Sequence, residues 1–138
     1  MAKILGIHHV ALVVPVVEQA LAFWRDTLGL PLHEIADFPE QSSRIAFLPL
    51  GNGEVELVQP TVEDSGIARF LQKRGPGIHH ICFEVDDLDG MVATLKERNI
   101  RLLSEQPVRG GGDRRMIFIH PESANGVLVE LYEAVPGR

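Results

Sequence analysis

The sequence has a single cysteine, no long apolar run and no excess of positive charge. Because Cys82 has no second cysteine with which to form a disulfide within the chain, we expect a reducing compartment, the cytoplasm. No apolar stretch approaches the length of a membrane span, and the N-terminus lacks the basic and apolar segments of a secretion signal, so no membrane association is expected. The net charge of −6 argues against a nucleic-acid partner, since phosphate binding requires a basic surface.

The chain has the size and composition of one globular domain. Its 138 residues, of which 45% are hydrophobic, are enough to bury one core and too few for two independent ones. Charged residues make up an ordinary 23%, so extended disorder is not expected. Composition therefore predicts a compact protein and gives no indication of its chemistry.

An internal repeat organises the chain. Three segments of the first half return in the second half in the same order: Gly6–Val10 as Gly77–Ile81, Arg44–Pro49 as Arg115–Pro121, and Val55–Leu57 as Val129–Leu131. The spacing between them grows slightly in the second half, while the order of the landmarks never changes. This pattern indicates a duplication with small insertions.

Each half is predicted to contain one strand, one helix and then further strands. Residues rich in Val and Ile, or alternating in polarity, predict strands over 7–14, 44–50, 54–59, 78–85, 116–120 and 126–132. Apolar residues at helical spacing between capping and stop residues predict three helices: one from Pro15 to Gly29, one over 65–74 after Asp64 or Ser65 and before Gly75, and one from Asp86 to Asn99. The prediction is an α+β fold of two tandem βαβββ modules that form a curved open sheet around a metal site. Within this single domain, we expect module 1 at about 4–62, a linking helix at about 64–75 and module 2 at about 76–134.

Strand parity places four ligand-type side chains on one face of the modules. Side chains alternate between the two faces of a strand, and the following apolar sets suit the face beneath a helix: Ile81, Phe83 and Val85; Val127, Val129 and Leu131; Val55 and Leu57. His80, Glu130 and Glu56 are left on the opposite face. The first strand is apolar on both faces, and the repeat resolves this ambiguity by pairing His9 with His80.

These four side chains predict a divalent-metal site. A single strand histidine is more often structural, and a strand glutamate more often faces solvent. A glutamate between apolar neighbours in both halves would, however, be costly to bury without a cation or a proton. Two imidazoles and two carboxylates suit one divalent ion such as Co, Mn, Ni or Zn, held by His9, Glu56, His80 and Glu130. The neighbouring His8 and His79 are predicted to face the helices.

The motifs of the chain resemble the methylmalonyl-CoA epimerase family of the vicinal oxygen chelate superfamily over almost its full length. The signals shared with the superfamily are the two His-His segments and Val127–Leu131. The signals more specific to the epimerases are the helix after Asp64 and Ser65, the run Gly110–Gly112, and His120 and Pro121 followed by Ser123.

The resemblance implies an isomerase that interconverts the 2R and 2S forms of methylmalonyl-CoA and that forms a homodimer. A proton would be removed next to the thioester carbonyl, with a metal stabilising the charge of the enolate. Inversion is best served by two bases on opposite faces. Some family members carry an additional glutamate on the strand that corresponds to 44–48, where this chain has none. We therefore assign the catalytic base to Glu130, with Glu56 as the second candidate.

The CoA moiety requires cations for its phosphates. Arg114 and Arg115 follow the glycine run, and the backbone of Gly111 and Gly112 is suited to close approach by a ligand. We expect these four residues to bind substrate, although a surface turn with solvated charges is an equal alternative.

Three other functions are compatible with parts of the pattern. A glyoxalase I-type isomerase would use a similar set of His, Glu, His and Glu ligands. An extradiol dioxygenase is disfavoured, because that chemistry uses two histidines and one carboxylate, and Glu56 would be a fourth ligand. A non-catalytic, metal-free binding protein of the same superfamily is disfavoured by the presence of all four ligands.

Overall fold

The computed structural model describes residues 1–110 and 113–135. Its strands are β1 (Ile4–Val13), β2 (Glu34–Phe38), β3 (Ser43–Leu50), β4 (Gly53–Pro60), β5 (Gly77–Val85), β6 (Val108–Arg109), β7 (Arg115–Ile119) and β8 (Val129–Glu133). Its α-helices are α1 (Val17–Leu21), α2 (Gly66–Arg74) and α3 (Leu88–Glu97). No helix in this part of the chain is long and apolar enough to cross a membrane.

The chain divides into two compact units. The N-terminal unit is His9–His79, and the C-terminal unit combines Met1–His8 with the chain from His80 onward. In the N-terminal unit the strands follow the order β2-β3-β4-β1, with β1 and β4 parallel and the other pairs antiparallel. In the C-terminal unit the order is β5-β8-β7-β6, and only β5 and β8 among these described strands are parallel. The predicted βαβββ order occurs twice, which confirms the α+β class.

The core of the N-terminal unit lies between α1 and one face of its strands. Its buried members are Val14, Val17, Leu21, Ala46, Leu48 and Leu57. Val55 packs against this cluster while partly exposed, and Leu57 is fully buried in it. Glu56, which stands between them in sequence, therefore leaves β4 on the opposite face, as strand parity predicts.

The core of the C-terminal unit lies between α3 and its strands in the same way. Its buried members are Val85, Leu88, Val92, Ile117, Ile119 and Leu131, and Phe83 and Val129 pack against them. Val127 is wrongly predicted to face the helix, since it is 40% exposed and precedes β8. The strand begins at Val129 and not at Gly126 because a 3₁₀ turn at Pro121–Ser123 is followed by Asn125 and Gly126, both with positive φ.

The predicted start of α3 is wrong by one residue. The side chain of Asp87 caps the helix by accepting a hydrogen bond from the backbone N–H of Gly90, at 3.0 Å. Asp86 instead accepts a hydrogen bond from the backbone N–H of Lys3, at 2.7 Å. The helix ends as predicted near Asn99, which adopts a left-handed conformation with φ of 60°.

The two other predicted helices end where their glycines stand. Gly29 has φ of +94° and Gly75 has φ of +76°, a conformation that favours glycine at the end of a helix. The first helix changes from α to π geometry at Ala22–Thr27, a change that the apolar spacing does not predict. At the start of α2, Ser65 acts as the cap, because its Oγ accepts a hydrogen bond from the backbone N–H of Ala68 at 3.2 Å.

Candidate metal and substrate site

A buried histidine and a buried glutamate lie side by side in the N-terminal unit. In the parallel register of β1 and β4, Ala11 stands opposite Glu56, so His9, two residues before Ala11, emerges on the same face as Glu56. His9 Nδ1 and Glu56 Oε2 are 3.3 Å apart. The two residues are only 5% and 9% exposed, so a carboxylate and an imidazole share a place that water barely reaches.

A third potential ligand, Glu54, belongs to the same group. It stands opposite His9 in the strand register, and one ligand atom from each of His9, Glu54 and Glu56 lies within 4.8 Å of the others. Strand parity alone would have placed Glu54 on the face of Glu56. The repeat does not single it out, because the equivalent position two residues before Glu130 is Leu128.

The C-terminal unit carries the equivalent pair. In the parallel register of β5 and β8, Cys82 stands opposite Glu130, and His80 lies on the same face of β5 as Cys82. His80 Nε2 and Glu130 Oε1 are 3.0 Å apart, with side chains 13% and 10% exposed. The ring of Phe118, which stands opposite Glu130 on β7, packs edge-to-face on His80 at 5.4 Å between centroids. The imidazole is thus fixed by a carboxylate and by an aromatic ring.

The chemistry of these donors fits a divalent cation. Imidazole nitrogens and carboxylate oxygens are the ligands that Zn, Co, Ni and Mn take in proteins. A buried carboxylate is costly unless a cation or a proton neutralises its charge. Each module supplies one such pair, with the histidine on its first strand and the glutamate on its last, at equivalent positions of the repeat. The predicted ligands are therefore brought together within each unit as His9 with Glu56 and His80 with Glu130.

The neighbouring histidines contact aromatic rings. His79 packs edge-to-face on Phe70 of α2, with ring centroids 5.0 Å apart, and so faces a helix as predicted. His8 does not: its ring packs against Tyr132, at 4.9 Å, on the face of β8 that also carries Glu130. The first residues of β1, up to His8, group with the C-terminal unit, which also contains Tyr132, and not with the unit that contains α1.

Arg114 lies on the same face of the C-terminal unit as the His80–Glu130 pair. Its Nη2 donates a hydrogen bond to Glu84 Oε2 at 2.9 Å, and both side chains are nearly buried, at 13% and 14% exposed. The guanidinium carbon lies 4.9 Å from the centroid of the Tyr132 ring. Tyr132 stands opposite Glu84 in the register of β5 and β8, one residue pair further along than Cys82 and Glu130.

Arg115 points to the helix face and makes an ion bridge there. It donates hydrogen bonds to Asp89 of α3, at 2.9 and 3.0 Å, and to Glu133 of β8, at 2.6 and 3.2 Å. These hydrogen bonds hold the pKa of both carboxyl groups below their ordinary values and raise the pKa of Arg115. Its guanidinium therefore joins the helix to the sheet. Two other predicted substrate contacts, Gly111 and Gly112, lie outside the described residues.

The first module contains a similar ion bridge, with the helix carboxylate at the equivalent position and the second carboxylate on a different strand. Arg44, which the repeat aligns with Arg115, donates hydrogen bonds to Glu18 of α1, at 3.0 Å from its Nε, and to Asp37 of β2, at 3.1 Å from its Nη1. Glu18 occupies the second position of its helix, as Asp89 does in α3. The recurrence of this bridge indicates that it belongs to the structure of the repeated module.

The chain is similar to known proteins over most of its length. Residues 8–118 match the family model of the Glyoxalase/Bleomycin resistance protein/Dioxygenase superfamily. The chain is 44% identical to mitochondrial methylmalonyl-CoA epimerase of Homo sapiens, over 93% of this chain and 73% of the human protein. It is 42% identical to ethylmalonyl-CoA/methylmalonyl-CoA epimerase of Cereibacter sphaeroides, over 91% of this chain and 95% of that protein. A solved structure of methylmalonyl-CoA epimerase in complex with methylmalonyl-CoA and NH4+ is similar with a TM-score of 0.88 and 31% identity, over 97% of each chain.

Proposed function

Because this chain belongs to the methylmalonyl-CoA epimerase family of the glyoxalase/bleomycin resistance protein/dioxygenase superfamily, we propose that it interconverts the 2R and 2S forms of methylmalonyl-CoA. The family predicted from the sequence motifs is confirmed, and with it the class of enzyme, an isomerase. The observation that carries the proposal is the pair of buried His–Glu contacts, at 3.3 and 3.0 Å, at equivalent positions of a duplicated fold.

We propose that His9, Glu56, His80 and Glu130 hold one divalent ion, with Co, Mn, Ni and Zn as the candidates. When bound, such an ion supplies Lewis-acid stabilisation for the negative charge that develops on the thioester oxygen. The support for this ligand set is the burial of each carboxylate against an imidazole. Glu54 also lies close to His9. If Glu56 takes up a proton, Glu54 can still provide a carboxylate beside the imidazole of His9.

Inversion requires that one group remove the proton from one face of the carbon and that another deliver a proton to the opposite face. We propose that Glu130 is the base when its carboxylate is released from its role as a ligand. The carboxylate takes the proton, and the C–H electron pair moves toward the thioester carbonyl. A protonated carboxyl group on the other face, likewise released, then gives up its proton to form the new C–H bond. Glu56 is the candidate for that second group. On the face of Glu56, β3 presents Ser43, Ile45, Phe47 and Pro49, and none of these side chains is a carboxylate.

The partner that follows from this function is an acyl-CoA. Among the predicted substrate contacts, Arg114 is the better candidate, because its guanidinium lies on the face of the His80–Glu130 pair while Arg115 is engaged in its ion bridge. We keep the homodimer and the cytoplasm as proposals. The first is supported by the family, and the second by the presence of a single cysteine, Cys82, which is buried.

The test is to incubate metal-loaded protein with 2S-methylmalonyl-CoA in deuterated water and to follow deuterium at the 2-position together with the ratio of the two epimers. We expect exchange and epimerisation to proceed together. Glu130→Gln and His80→Ala should each lose bound metal or activity, whereas Glu122→Gln should retain both, since Glu122 is an exposed partner of Arg101. Absence of exchange would contradict the epimerase function. Activity on methylglyoxal with glutathione, but not on the thioester, would replace it with that of glyoxalase I.

A further inference from the structure

Two buried polar atoms in the described part of the chain have no hydrogen-bond partner, Ser43 Oγ and Arg114 Nη1. The repeat aligns Arg44 with Arg115 and therefore places Ser43 and Arg114 at the same position of the two modules. A buried donor without an acceptor is costly, and such groups are rare in folded proteins. Two of them at one position of a duplicated fold therefore call for a functional explanation.

This position lies on the ligand face in both modules. In the register of β3 and β4, Phe47 stands opposite Glu56, and Ser43 lies on the same face of β3 as Phe47. In the register of β7 and β8, Phe118 stands opposite Glu130, and the contact of Arg114 with the Tyr132 ring places its guanidinium on that face as well. The orphaned atoms thus belong to the surfaces that carry the proposed metal ligands.

The guanidinium of Arg114 is held on two sides. Glu84 accepts a hydrogen bond from its Nη2 at 2.9 Å, and the ring of Tyr132 lies beneath it. Only 13% of the arginine side chain is exposed, so the group is not a solvated surface charge. A guanidinium has five N–H donors in a planar fork that suits a second planar anion.

The chain itself shows what such an arginine does when its donors are used. Arg44 bridges two carboxylates, Glu18 and Asp37, and the adjacent residue Arg115 likewise bridges two, on the other face of its strand. Arg114, by contrast, has one carboxylate partner among the described residues, Glu84, and a buried Nη1 without an acceptor. A carboxylate is therefore the acceptor that best fits Arg114 Nη1.

A substrate carboxylate can reach this point from the reacting carbon. Tyr132 is two residues from Glu130, and that step along a strand covers about 7 Å. In a malonyl-type thioester, the carbon that loses its proton bears the carboxylate directly. If this carbon lies within reach of the Glu130 carboxylate, the attached carboxylate can extend to Arg114, which lies against Tyr132.

We propose that Arg114 Nη1 binds the free carboxylate of the acyl group, and that this contact makes the site select acyl-CoA thioesters with a second, ionised carboxyl group over simple ones. The identity of the acyl group rests on the proposed function. Arg114 joins two carboxylates, one from Glu84 and one from the substrate, as Arg44 and Arg115 do within the protein. The equivalent residue Ser43 provides a neutral hydroxyl, so the recognition of charge belongs to the C-terminal module.

The test compares malonyl-CoA with acetyl-CoA, which differ only by the carboxylate, as ligands of the full-length cobalt-loaded protein in titration calorimetry. The wild type should prefer malonyl-CoA. In the double variant Glu84→Gln/Arg114→Gln, the Arg114–Glu84 ion pair is replaced by two neutral side chains. The ratio of its dissociation constants for acetyl-CoA and malonyl-CoA should be about tenfold lower than in the wild type, the effect of one charge-assisted hydrogen bond. Glu84→Gln alone keeps the arginine and should keep the preference. Arg101→Gln, at an exposed arginine, is the control for the general loss of a positive charge.

An unchanged preference in the double variant overturns the proposal. An equal loss of affinity for both ligands also overturns it, because Arg114 would then contact the CoA moiety. If this variant fails to fold, Glu84→Leu/Arg114→Met is used with the same expectation, since apolar replacement of a buried ion pair is often tolerated. Deuterium exchange by the wild type is measured in parallel. If exchange is absent, while the wild type prefers malonyl-CoA and the Arg114 variant does not, the proposed function is contradicted and the carboxylate site stands.

Discussion

Replacing Leu57 or its neighbour Glu56 should separate the stability of the fold from its affinity for metal, because the two side chains leave β4 on opposite faces. Leu57 is fully buried in the core beneath α1. Leu57→Ala should therefore lower the free energy of unfolding by about 2–5 kcal/mol, the range for truncation of a buried leucine. Glu56→Gln keeps the size of the side chain and should change the stability of the metal-free protein little.

The two variants should differ in how much a bound metal ion stabilises them. An ion at 100 times its dissociation constant stabilises a protein by about 2.7 kcal/mol if it binds only the folded state. Leu57→Ala should keep this increment, because the truncation lies on the helix face. For Glu56→Gln, a 100-fold loss of affinity would reduce the increment at the same concentration to about 0.4 kcal/mol.

The assay is urea denaturation of the wild type and both variants, with and without Co²⁺, with the dissociation constants taken from calorimetry. The control is Glu122→Gln, an exposed glutamate that should match the wild type in both measurements. The reasoning is refuted if Glu56→Gln retains the full increment. The reasoning is also refuted if Leu57→Ala loses the stabilisation by metal, since the two faces of β4 would then not separate the core residue from the metal ligand.

Two further variants test the ion bridge and the helix cap. Arg115 lowers the pKa of Asp89 and Glu133, so their contribution to stability is present at neutral pH and is lost as pH falls below their ordinary values near 4. Between pH 7 and pH 3.5, the urea midpoint of the wild type should therefore fall further than that of Arg115→Met, and equal falls would contradict the bridge. Ser65→Ala should cost about 1 kcal/mol in urea unfolding, because the cap on the N–H of Ala68 is lost, and no change would show that the cap contributes nothing.

The sequence could predict that His9 and His80, and not His8 and His79, share a strand face with the two glutamates, because two simple regularities decide which face each side chain takes. A strand has a period of two, and a duplicated chain repeats the same geometry at equivalent residues. Glu56 and Glu130 follow from the same regularities, since each stands between two core residues. The first strand alone would not have revealed His9, because both of its faces are apolar.

Other features depend on contacts that no local pattern contains. Asp86 and Asp87 are equally good caps in sequence, and the contact of Asp86 with Lys3, far away in the chain, helps to determine which of them caps α3. Arg114 and Arg115 are likewise the same residue type, and only their distant partners, Glu84 and Asp89, distinguish the arginine that we propose for the substrate site from the one that joins helix to sheet.

The presence of Ser43 in one module and Arg114 in the other shows what a fused duplication makes possible. In an assembly of two identical chains, every substitution appears twice, and a symmetric cleft presents the same group from both sides. Once both copies are joined in one polypeptide, the two halves can diverge while the shared framework, here the paired ion bridges of Arg44 and Arg115, is maintained. An acyl group with a carboxylate on only one side of its reacting carbon, as in the ligand proposed for Arg114, suits such an unequal receptor.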